Sequence, residues 1–88
     1  MKRWTQIFKV LANRKRLAII KLLANGKEFT VSEIAPEIHV TFTGTSKHLI
    51  LMRNLDVLES DGKAGQVYYS LNKNLPADLK AAIHLFIK

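Results

Sequence analysis

The sequence predicts a mainly α domain of the α+β class, about five helices with a two-stranded β-hairpin, folded as one unit over residues 1–88. Three observations predict it. Apolar residues recur at helical spacing through most of the first 55 positions. Side chains suited to starting helices (Asn13, Thr30 and Thr41) stand ahead of apolar stretches. Beyond Asp56 the apolar period drops to two on either side of a Gly-containing turn.

In the first helix, Trp4, Ile7, Phe8 and Leu11 share a face. Asn13 caps a second helix running to about Ala24, apolar over most of its girth through Leu17, Ile19, Ile20, Leu22 and Leu23, with Lys21 pointing out. That girth marks it as the central core element. Asn25-Gly26 ends it with a residue free to adopt positive φ. Thr30-Val31-Ser32-Glu33 has the capping-box pattern, a hydroxyl followed three positions on by a carboxylate, so a short third helix starts there. Pro36 removes one amide donor inside it and is expected to kink or shorten it, while Ile34 and Ile38 still share a face.

His39-Val40 forms the next turn, where His39 tolerates left-handed φ better than bulky residues do. Thr41 caps a fourth helix reaching roughly Asn54, with Thr45, Leu49, Met52 and Leu55 as its buried stripe. Phe42, Thr43, Ser46, Lys47, Ile50 and Arg53 are left on its opposite face. Leu58 then stands alone in a short strand, Asp61-Gly62-Lys63-Ala64-Gly65 is a turn, and Val67, Tyr69 and Leu71 alternate inward. From Pro76 a last helix places Leu79, Ile83 and Phe86 on one face beside Ala82. A short helix, a tight turn, a second helix with a polar outer face and a hairpin with a basic tip follow in the order of a winged helix-turn-helix.

Charge narrows the function. Fourteen Lys and Arg stand against seven Asp and Glu, a formal +7, and all eight bases up to Lys27 precede the first acid, Glu28. A polyanionic partner is the first expectation. With no Cys, disulfides, thiolate metal sites and cysteine nucleophiles are excluded. Glu28, Glu33 and Glu37 form no catalytic constellation, because Glu33 is used by the capping box and neither a phosphate-binding Gly loop nor a nucleophile and base accompanies them. An enzyme is not expected, nor any cofactor. His39, His48 and His84 are scattered over three elements, and His48 is expected to pack beside the second helix and donate a hydrogen bond. No apolar run approaches membrane length, so a soluble, cytoplasmic protein is expected.

From Leu11 to Leu71 the chain resembles the ArsR family of bacterial and archaeal repressors. The resemblance lies in Leu11-Ala12-Asn13 with Arg16-Leu17, in Val31-Ser32-Glu33-Ile34-Ala35, in Ser46-Lys47-His48-Leu49 and in Gly65-Gln66-Val67-Tyr68-Tyr69-Ser70-Leu71. It implies a homodimer built from the first and last helices, with the fourth helix of each subunit in a major groove of a pseudo-palindromic operator. It also implies repression relieved by an inducer, often a metal ion. Members that sense soft metals carry cysteines on the third helix where this chain has Thr30 and Ser32, whose hydroxyls are poor ligands for such ions. On the last helix only Asp78 and His84 stand where other members carry a carboxylate and several histidines. No metal site is expected.

The leading expectation is therefore a sequence-specific, homodimeric repressor of transcription whose partner is double-stranded DNA. Thr41, Phe42, Thr43, Ser46, Lys47, Ile50 and Arg53 of the fourth helix would meet the groove, with Gln66 and Lys63 on the wing and Arg14 and Lys15 on phosphates. Trp4, Ile7, Phe8, Leu11, Leu79, Ile83 and Phe86 would form the dimer interface. The positive start of the second helix opposes its macrodipole, and a phosphate would compensate it. Two alternatives stand beside this reading: a protein-interaction module, suggested by Phe42 and Ile50, and a structure-specific RNA or non-specific DNA binder, suggested by the charge before Glu28.

Overall fold

The computed structural model describes residues 2–86, apart from the side chains of Arg3 and Phe86. Five helices and three short strands follow one another as α1 (Lys2–Leu11), α2 (Arg14–Leu22), β1 (Phe29–Thr30), α3 (Val31–Ile38), α4 (Phe42–Asn54), β2 (Leu58–Lys63), β3 (Gln66–Leu71) and α5 (Ala77–Phe86).

Polar side chains start the helices as the sequence indicates. Asn13 Oδ1 accepts the amides of Lys15 and Arg16 at 3.0 and 3.2 Å, satisfying two of the donors that a helix start leaves open. At α3 the capping box is complete: Thr30 Oγ1 accepts the Glu33 amide at 3.2 Å, and Glu33 Oε1 accepts the Thr30 amide at 2.9 Å. Pro36 lies inside α3, which ends two residues later as His39 turns left-handed at φ 58°. Thr41 Oγ1 then accepts the Gly44 amide at 3.1 Å and starts α4. Gly44 allows a close approach, since a Cβ there would lie 2.8 Å from Val40 Cγ1 and would force that side chain to shift.

One core joins every layer. Ile7 and Val10 of α1, Ile19 and Ile20 of α2, Ile34 and Ile38 of α3, Leu49 and Met52 of α4, and Leu79 and Ile83 of α5 meet Leu23, Val57, Leu58 and Tyr69. Thr45, expected on the buried stripe of α4, is fully buried there, whereas Leu55 at the end of that stripe is half-buried.

The sheet departs from expectation in three respects. It has three strands in the order β1-β3-β2, all antiparallel, because Phe29 and Thr30 pair with Tyr69 and Tyr68. The turn shrinks to Ala64-Gly65, both at positive φ (51° and 77°), while Asp61, Gly62 and Lys63 pair with Tyr68, Val67 and Gln66. Two central residues at positive φ suit the right-handed twist of a tight hairpin. Lys63 thus sits in a paired strand and not in a loose tip. Third, of the inward set only Tyr69 is buried; Leu71 is half-buried and Val67 is 48% exposed. Val67 shares a face with Tyr69, but it lines an open cleft with Val31, Phe42 and Ser46 that covers it only in part.

Candidate nucleic-acid interface

Because Thr45, Leu49 and Met52 anchor one side of α4, its other side is fixed outward. Thr43, Lys47, Ile50 and Asn54 follow at i, i+4, i+7 and i+11, one exposed row along the helix. Asn54 is the member that the sequence reading missed. Phe42, Ser46 and Arg53 form the flank beside that row. Between this flank and the wing lies a cleft lined by Val31, Ser32, Phe42, Ser46, Gln66 and Val67. The structure therefore brings Ser46 and Gln66, 20 positions apart in sequence, to one cleft. Thr41 is exposed at the head of α4, its oxygen engaged by the Gly44 amide and its proton free to donate outward.

The cations divide into two groups. Among the described residues Lys47 and Arg53 have no protein partner and point from α4 into solvent. At the start of α2 the charges are turned inward. Lys15 Nζ donates to the Ile38 carbonyl at 2.7 Å, and Arg16 donates from Nη1 to the Val10 carbonyl at 3.3 Å and from Nε to His48 Nδ1 at 3.2 Å. These carbonyls lie in the last turns of α3 and α1, the negative ends of their dipoles. The charge run that seemed to call for a phosphate is met in part by two helix C-termini, to which Lys15 and Arg16 donate. His48 accepts a hydrogen bond, contrary to the expected donation, and burial followed by the Arg16 charge holds its pKa below the ordinary value of 6.5. Arg14 remains exposed but faces another surface, a groove shared with Phe8, Leu11, Leu17, Lys21 and Ala82.

Lys63 occupies a middle position. Its Nζ donates to Glu28 Oε1 at 2.6 Å, lies 3.9 Å from Asp61 Oδ2 and stands 5.8 Å from the Tyr68 ring centroid. The hydrogen bond to Glu28 leads the causes that raise its pKa. A phosphate reaching Lys63 competes with that carboxylate.

The expected interface between copies is also redistributed. Ile7, Leu79 and Ile83, 1–3% exposed, belong to the protomer's own core and leave no surface for a partner. Phe8 is 61% exposed, with its ring 5.5 Å from that of half-buried Trp4, and Leu11 is half-buried beside it. Leu85, 72% exposed and absent from the expected set, adds to the outer surface of α5; the side chain of Phe86 lies outside the described residues.

The metal expectation is tested by what the side chains already do. Thr30 Oγ1 is occupied by the capping box, Ser32 offers a neutral hydroxyl, and Asp78 Oδ1 accepts the Leu79 amide at 2.7 Å. Among the described residues no group of three or more His, Asp or Glu is placed to hold a metal ion. These positions do not fit the soft-metal site that the family resemblance implies. Among the described residues, too, no helix is long and apolar enough to cross a membrane.

A helix with an outward polar row, set behind a tight turn and flanked by a hairpin, makes this a winged helix-turn-helix domain. Residues 13–60 match the model of the bacterial regulatory protein, arsR family, and the chain belongs to that family, one of regulators and not of enzymes. It is 32% identical over 72 residues to the arsenical resistance operon repressor of Escherichia coli (strain K12), covering 82% of this chain and 62% of that one. The chain thus spans about three-fifths of that relative. Reduced HlyU from Vibrio cholerae N16961 superposes with a TM-score of 0.82 at 26% identity, covering 97% of this chain and 85% of that one. The homodimeric winged helix-turn-helix DNA-binding domain of Mb0332 from Mycobacterium bovis gives a TM-score of 0.81 at 27% identity, covering 97% and 75%.

Proposed function

We propose that the protein is a homodimeric transcriptional repressor that binds a pseudo-palindromic operator, with α4 of each subunit in a major groove and the wing against the flanking backbone. The observation that carries this reading is the outward face of α4. Thr43, Ser46 and Lys47 stand there on a helix whose other side is anchored in the core. Hydroxyl and ammonium groups on successive turns can meet the edges of neighbouring base pairs. Dimerisation rests on α1 and α5, with Phe8, Leu11 and Leu85 as the surface to be covered. It sets the two copies of α4 about 34 Å apart, one turn of B-DNA. The homodimeric state of the Mb0332 domain supports this assembly.

Non-specific binding through phosphates alone is the weaker reading, because Lys15, Arg16 and Lys63 are engaged within the protein. Transition-metal sensing is not part of the proposal, since Thr30 is committed to its cap and the chain has no thiol. In vitro selection of random duplexes against the purified protein tests the function directly. An enriched inverted repeat is expected; strong binding with flat enrichment would leave a non-specific binder, and no binding would leave a protein-interaction module. Sedimentation as a stable monomer at micromolar concentration would remove the palindrome.

A further inference from the structure

We propose that Phe42 and Ile50 read thymine methyl groups, so that each operator half-site carries two positions at which the 5-methyl itself contributes to binding. The inference rests on the DNA-reading role of α4 and adds to it the chemistry that is read. Phe42, Val67 and Ile50 are 58%, 48% and 40% exposed, an unfavourable placement for large apolar groups unless a partner covers them. Phe42 and Val67 line the same cleft between α4 and the wing, beside the polar groups of Ser46 and Gln66. Ile50 lies on the outer row, after Thr43 and Lys47.

This arrangement favours a base-pair edge over a protein surface. A protein hot spot calls for an apolar patch free of polar groups, but this cleft sets Phe42 and Val67 among Ser32, Ser46 and Gln66, and Ile50 stands beyond Thr43 and Lys47. The major-groove edge of a T·A pair has a matching mixture: one methyl beside hydrogen-bonding groups. Phe42 and Ile50 are eight residues apart on one helix, about 12 Å along its axis. At a rise of about 3.4 Å per base pair, the two methyl-sensitive positions fall at most roughly three to four base pairs apart, and closer as α4 inclines along the groove.

The experiment replaces thymine by deoxyuridine, one position at a time, in the operator recovered by selection, and reads affinity by fluorescence anisotropy. Uracil keeps every hydrogen-bonding group and loses only the methyl. Two positions in each half-site are expected to weaken binding about fourfold, the worth of one buried methyl. Phe42→Ala is expected to erase the effect at one of them and Ile50→Ala at the other, thermal melts confirming that both variants are folded. Because the deoxyuridine series on the unaltered protein needs no variant, the result does not depend on either one folding. If an operator is selected and bound but no deoxyuridine position weakens it, methyl reading is wrong while the DNA-reading function stands. If no operator enriches, the proposed function fails and this inference fails with it.

Discussion

The start of α2 and the outer face of α4 carry similar charge in sequence but use it in opposite ways. At α2, Lys15 and Arg16 donate to the Ile38 and Val10 carbonyls and hold the ends of α3 and α1 against the second helix. On α4, Lys47 and Arg53 have no such partner among the described residues. The difference comes from what lies opposite. A cation facing a helix C-terminus finds oriented carbonyls and becomes part of the fold, whereas one facing solvent stays available to an external anion. Net charge alone does not separate these uses.

The contrast is broken first at Arg16. Arg16→Met keeps much of the stem but removes both hydrogen bonds, and the loss expected in urea unfolding is about 2–3 kcal/mol. The salt dependence of DNA binding should not change; a flatter slope would add Arg16 to the DNA-contacting group. Next is Lys47→Ala, expected to cost about 1–3 kcal/mol on the selected operator and much less on random duplex. Equal losses on both DNAs would make Lys47 a phosphate contact only.

Smaller effects sharpen the boundary. Glu28→Gln weakens the hold on Lys63, and binding to any DNA should tighten a few-fold, with the log-affinity against log-salt slope steepening by roughly one unit. An unchanged slope would mean that Lys63 never meets a phosphate. The smallest effect belongs to His48. Its pKa is lowered in the folded state, so the unfolded chain takes up the proton first as pH falls. The contribution is intact above pH 6.5 and is lost as pH drops through the depressed folded value. Protonated Nδ1 can no longer accept from Arg16. His48→Gln should therefore flatten the fall in urea stability between pH 7 and pH 5; parallel curves would exclude the contact.

Local chemistry made much of this legible. Asn13, Thr30 and Thr41 are caps whose partners lie two or three residues away, and the left-handed turn at His39 follows from a similarly short range. β1 was not legible because two residues are too few to show a period. The use of Lys15 and Arg16 was hidden for a different reason: Ile38 and His48 stand 23 and 32 positions away, and only the packing of α2 against α3 and α4 brings them together. Val67 alternates correctly with Tyr69, but how fully the helices close over that face is a tertiary fact. For the expected dimer face, helical spacing identified Ile7, Leu79 and Ile83 as apolar without showing that their own domain already covers them.

The close approach at Gly44 separates posture from vocabulary in the fourth helix. The seat of α4 consists of Thr45, Leu49 and Met52 in the core, with Gly44 close against Val40, and none of these lies on the outward row. Thr43, Lys47 and Ile50 are exposed and lie outside the buried set that seats the helix. On the proposed reading such a domain is readdressable: a change of outward residues would give it a new DNA sequence to read on an unchanged frame, whereas a side chain at position 44 would press on Val40 and Thr41.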